Sequence, residues 1–96
     1  MKVFVKRMID EHIELVNRIR KLNNYIISDK SDEDDRIEFT NKCVQLSYMK
    51  KYAEALETRL FNQGIIYENG EYLERVNHNY GSDFDEDSEN LDTTNE

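Results

Sequence analysis

Two stretches of this chain repeat apolar residues at alternating steps of three and four, and only a short connection separates them, which leaves few folds open. Over residues 3–27 the seam is Val5, Met8, Leu15, Ile19, Leu22 and Ile26, with His12 at the one step where an apolar residue is expected. Ile9, Ile13 and Val16 widen this stripe beyond what one partner helix covers, while Lys6, Arg7, Asp10, Glu14, Asn17 and Arg20 remain for solvent. Over residues 31–63 the pattern returns as Phe39, Leu46, Met49, Ala53, Leu56 and Leu60, with Lys42 as the polar exception. Ser31 is the expected N-cap of this second helix, because Asp32, Glu33, Asp34 and Asp35 would then place negative charge in a first turn that favours it. Gly64 suits the left-handed residue that ends a helix. A connection of residues 28–31 is too short for anything but an antiparallel pair, so residues 1–64 are predicted to be a helical hairpin domain.

The pattern then changes. IIYENGEYL places two short apolar runs around Asn69-Gly70, the preferred pair for a type I′ turn, and predicts a short β-hairpin extension over residues 65–76. Residues 77–96 contain seven of the 21 acids and no Lys or Arg, so the net charge of -8 is mostly theirs; the 14 acids before them nearly balance the 13 basic residues. With only Tyr80, Phe84 and Leu91 to bury, this acidic tail is expected to be disordered. The fold class is therefore all-α: an antiparallel two-helix hairpin carrying a short C-terminal β-hairpin and a disordered tail. A core of this size supplies little stability without disulfide, metal or partner, and the apolar stripes are wide. Both points predict a homo-oligomer.

Several function classes are excluded or disfavoured. One cysteine, Cys43, closes no intrachain disulfide, and no stretch approaches the ~18–20 continuous apolar residues of a membrane span. Charges in MKVFVKRMIDEH interrupt any signal-peptide core, and a reducing cytoplasm is the expected location. There is no nucleophile elbow, phosphate loop, HExxH or CxxC, and His12 and His78 lie far apart, so no enzyme, cofactor or metal is expected. Long nucleic acid is a poor partner for an ordered part so near neutrality.

The residues that remain point to binding. His12 in the seam either fixes helix register, as buried polar residues do in coiled coils, or stacks at a junction between hairpins on a planar ligand such as a nucleobase. Gln45, Tyr52 and Arg59, spaced by seven, either make interhelical hydrogen bonds and ion pairs or supply the amide, ring and guanidinium that would hold a phosphorylated, base-bearing ligand. Basic residues on the first helix, Arg7 among them, make local anion contacts available.

In FVKRMIDEHIELVNRIRKLNNYI (residues 4–26) and FTNKCVQLSYMKKYAEALETRL (residues 39–60) the chain resembles the helical-hairpin sponges with which phages counter the CBASS and Thoeris immune systems. The shared features are RM..E..EL..RI.KL...I in the first helix and, in the second, Gln45, Met49, Tyr52, Leu56 and Arg59. The resemblance implies a homo-oligomer, a hexamer, that binds cyclic dinucleotides, and in some members cyclic trinucleotides or cyclic ADP-ribose isomers, between protomers without cleaving them, in the host cell cytoplasm. It also implies that His12 stands where family members stack an aromatic ring on the bases. Lys30 is the cation nearest the family's helix-end Lys position, and Arg59 matches the second-helix Arg. The ligand-binding set expected on this basis is His12, Lys30, Arg59 and Arg7. The alternative is an oligomeric hairpin adaptor that binds a host protein, its acidic tail mimicking nucleic acid.

Overall fold

The computed structural model describes residues 1–75; the expected disordered tail, residues 77–96, lies outside the described residues. Two long helices run antiparallel, α1 over Val3–Ile26 and α2 over Arg36–Asn62, and a hairpin of two four-residue strands, β1 (Ile65–Glu68) and β2 (Glu71–Glu74), follows them. Neither helix is long and apolar enough to cross a membrane.

The start of α2 corrects the sequence expectation. Ser31 is not its N-cap: the hydroxyl donates to the carbonyls of Ile26 (3.0 Å) and Ser28 (2.8 Å), closing the end of α1 instead. A 3-10 turn over Asp29–Glu33 uses up the residues that would have begun the helix. Asp35 caps α2, its Oδ1 accepting from the Glu38 amide at 2.7 Å. The connection thus occupies residues 27–35, longer than predicted, yet the helices remain neighbours.

Lys42 breaks the apolar series for a reason found in this connection. Its ammonium donates to Asp34 Oδ2 at 2.9 Å and lies 4.0 Å from the centre of the Tyr25 ring, while the Tyr25 hydroxyl donates to Asp34 Oδ1 at 3.0 Å. One residue from each helix and one from the link are held together.

At the opposite end, Phe4, Val5, Met8, Leu15, Ala53, Leu56, Leu60 and Ile65 form the core, with Ile9, Ile19, Met49 and Tyr72 packed against it. Gly64 at φ 88° ends α2, as expected of a residue free to enter the left-handed region. Asn69 and Gly70, at φ 52° and 81°, make the predicted turn. The register pairs Ile65 with Glu74 and Tyr67 with Tyr72. Strand alternation then puts Ile65, Tyr67 and Tyr72 on the side facing the helices, with Ile66 and Leu73 on the other.

Candidate ligand-binding groove

The β-hairpin decides what His12 does. The ring is fully enclosed, at 0% exposure. Its Nδ1 lies 2.5 Å from the Tyr72 hydroxyl, its Nε2 lies 2.8 Å from Glu57 Oε2, and the Tyr67 and Tyr72 rings meet it edge-on at centroid distances of 4.4 and 5.5 Å. Burial, reinforced by Tyr67 and Glu57, pushes the Tyr72 phenol up to about 12. Tyr72 therefore keeps its proton and can donate it to Nδ1, leaving Nε2–H to donate to Glu57. Every polar atom of the ring has a partner, which removes the desolvation penalty of a buried imidazole. A nucleobase could stack on His12 only after the hairpin had left, so this seam polar residue ties three elements together. Tyr67, Tyr72 and Glu57 are not among the residues that the sequence pattern singles out. The available signal was two tyrosines placed symmetrically about an Asn-Gly turn, which fixes them opposite each other.

An accessible site lies along the side of the helix pair. Arg7, Asp10, Glu11, Glu14 and Arg18 recur at helical steps on α1, and with Leu15 and Tyr52 of α2 they line an open groove of about 470 Å³. The two arginines leave the backbone three turns apart, roughly 16 Å along the helix axis. Between them run three carboxylates, and Tyr52, 46% exposed, forms the facing wall. Arg18 approaches Glu14 at 3.7 Å with both side chains about 70% exposed, a pair too solvated to hold its partners.

Two smaller grooves are chemically poorer. One joins Cys43, which is half-buried, to Leu46, Ser47, Lys50, Lys51 and Glu54, with two cations and no aromatic ring. The other joins Glu54, Glu57, Thr58, Phe61, Ile66 and Tyr67, with rings but no cation. Only the first of the three combines cations and a ring.

The four residues expected to bind ligand do not converge within one protomer. Arg7 lines the large groove. Arg59, exposed in the last turn of α2, stands at the same end of the antiparallel pair. Lys30, exposed in the 3-10 turn, is at the other end, separated from Arg7 by most of α1. His12 is inside. Arg18 and Tyr52 are the residues the expected set lacked, and the eleven-residue interval from Arg7 to Arg18 was the signal for the first of them. Among the described residues no group of His, Cys, Asp and Glu is arranged to hold a metal.

Neither a curated protein nor a solved structure gives a match to the chain. The sequence profile of one family, Sequestin, matches residues 2–62, which takes in both helices and stops before the β-hairpin. The name denotes sequestration, a role of binding rather than of catalysis, and on a match covering more than half of its length the chain belongs to the Sequestin family.

Proposed function

We propose that the protein sequesters a cyclic nucleotide signal, holding it intact in the groove of Arg7, Arg18 and Tyr52. The observation that carries the reading is the combination of two guanidinium groups and a half-exposed aromatic ring in one groove. A guanidinium is the natural bidentate partner of a phosphate, and a tyrosine face accepts any base. Tyr52 takes the stacking role for which His12 is unavailable. The carboxylates between the arginines oppose an anion, so the favourable geometry has phosphates at the arginine ends and base edges near Asp10 and Glu11, where ring N–H groups find acceptors.

Family membership supports sequestration, and the sponge-like motifs support cyclic di- and trinucleotides or cyclic ADP-ribose isomers as the ligand class. Lys30 and Arg59 enter as phosphate contacts supplied from neighbouring copies of a homo-oligomer, a hexamer if the resemblance extends to the count. The biological setting that follows is a phage protein that withholds an immune signal in the host cytoplasm.

Titration calorimetry of the full chain against cyclic di- and trinucleotides and cyclic ADP-ribose isomers tests this, with chromatography of the recovered ligand. Submicromolar binding with the ligand returned unchanged is the expected result. Arg7→Ala should weaken binding about tenfold or more, the equivalent of one charge-assisted contact of roughly 1.5–3 kcal/mol, and Tyr52→Ala should act similarly. Silence across the panel, or cleaved ligand, defeats the proposal.

A further inference from the structure

The groove between α2 and β1 is poor for an anion, and the same lining suits the opposite charge. Glu54 and Glu57, one helical turn apart on α2, stand with Thr58 and Phe61 against Ile66 and Tyr67 of β1, around an open volume of about 370 Å³. No Lys or Arg is among these residues, so the lining carries two negative charges at a helical spacing where like charges repel.

Neither carboxylate is neutralised by a cation. Glu54 is exposed and makes no ion pair with any described residue, although Lys50 and Lys51 line the neighbouring groove. Glu57 gives Oε2 to the His12 ring at 2.8 Å, and its Oε1 has no hydrogen-bond partner among the described residues. That bond to a fully enclosed ring fixes the Glu57 carboxylate before any ligand arrives, while leaving the side chain 37% exposed. Two rings complete the wall: Phe61, 45% exposed, and Tyr67, half-buried. Phe61 already accepts one planar cation, since the central guanidinium carbon of Arg75 lies 4.5 Å from its ring centre. Arg75 is not part of the groove lining, so the groove itself is left to a cation from outside.

We propose that this groove binds an external guanidinium group, with Glu57 Oε1 and Glu54 as its acceptors and Phe61 and Tyr67 as its aromatic wall. A guanidinium is favoured over an ammonium because it is planar, weakly hydrated, stacks on rings and donates in a fork that two acceptors can share. A metal ion lacks donors here, because two carboxylates are too few to hold one. Phosphate is repelled by the same carboxylates, so this is no second nucleotide site. The proposal is independent of the cyclic-nucleotide reading. The guanidinium could come from a free guanidino compound or from an arginine of a partner protein, and the chemistry of recognition is shared.

Two-dimensional NMR of the isotopically labelled full chain, titrated with N-acetylarginine methylamide at constant ionic strength, tests the site. Amide shifts are expected at residues 54–61 and 65–67, saturating with a dissociation constant of about 1–5 mM, weak because the groove is open. The lysine counterpart, with the same charge, should bind about fivefold more weakly or less. Glu54→Gln and Phe61→Leu should each weaken binding about threefold or more, with helicity by circular dichroism unchanged, since neither side chain belongs to the core. Agmatine and an acetylated tripeptide with arginine between two leucines separate the sources: tighter binding of agmatine points to a free guanidino compound, and tighter binding of the tripeptide to a partner's arginine. Either order sustains the site. Shifts confined to residues 77–96, equal affinity for the lysine counterpart, or a Glu54→Gln variant that binds as the wild type does would overturn the proposal. Silence of the cyclic-nucleotide panel would defeat the ligand reading and leave this groove standing.

Discussion

The two ends of the helical hairpin are held by different physics. At the end where α2 meets the β-hairpin, leucines at 0–1% exposure and a fully satisfied histidine form a dense, shielded core. At the end where the helices are connected, Leu22, Ile26 and Phe39 are only half-buried, Ile27 and Ile37 are exposed, and the fixed points are the hydrogen bonds of Tyr25, Asp34 and Lys42. Two helices alone cannot enclose a core, and the β-hairpin supplies a third wall at one end only. The closed end should therefore dominate global stability, and the connection end should open first.

The largest effect expected on this basis is from Leu60→Ala, which removes a side chain at 0% exposure from the middle of the core and should cost about 3 kcal/mol. Leu22→Ala, at the half-buried end, should cost well under half as much. Chemical denaturation of the two variants measures the difference, and equal losses would mean that the ends are not distinct.

Next in size is His12→Ala. It leaves a cavity beneath Tyr67 and Tyr72 and strips Glu57 and Tyr72 of their partner, a combined loss of roughly 2–4 kcal/mol. Tyr72→Phe keeps the ring and removes only the donor, so about 1 kcal/mol should go. If His12→Ala instead left stability untouched and abolished ligand binding, the ring would have to be reachable by ligand and the hairpin would have to be displaceable.

These two residues also show how far the sequence could be read. The heptads, the Asn-Gly turn and Gly64 are local signals, and helices, strands and turn follow from them. His12 was identifiable as an exception in the seam, but its partners lie 45 and 60 residues away, and only the packing of the β-hairpin reveals that they enclose it. Ser31 failed as a cap because the competing acceptors, the last carbonyls of α1, are invisible to a pattern of cap residues. The groove was half legible: the arginine spacing is helical and local, whereas Tyr52 joins it only once the two helices are in register.

At the connection end, Tyr25→Phe removes the hydroxyl that donates to Asp34 and should cost about 1 kcal/mol in this half-buried site. Hydrogen exchange should accelerate around residues 27–35 while the amides of α2 near Leu56 and Leu60 stay protected, since the lock is local.

The smallest effect is a pH dependence that belongs to the connection alone. The Lys42 ammonium, hydrogen-bonded to Asp34, and secondarily the Tyr25 hydroxyl, hold the Asp34 carboxyl below its ordinary value of 3.8. The folded chain thus takes up that proton less readily than the unfolded chain. The contribution is complete above the unfolded value and disappears as pH falls through the lower folded one. The Lys42 ammonium is correspondingly raised above 10.5, so its share persists until strongly alkaline pH. Other carboxylates also destabilise the wild type in acid, so the comparison must be with Asp34→Asn, which has no such carboxylate. The gap in melting temperature between the two should be constant from pH 5 to 7 and should shrink below about pH 4. Were it unchanged down to pH 2, the ion pair would contribute nothing to folding, and the connection end would depend on the half-buried apolar side chains alone.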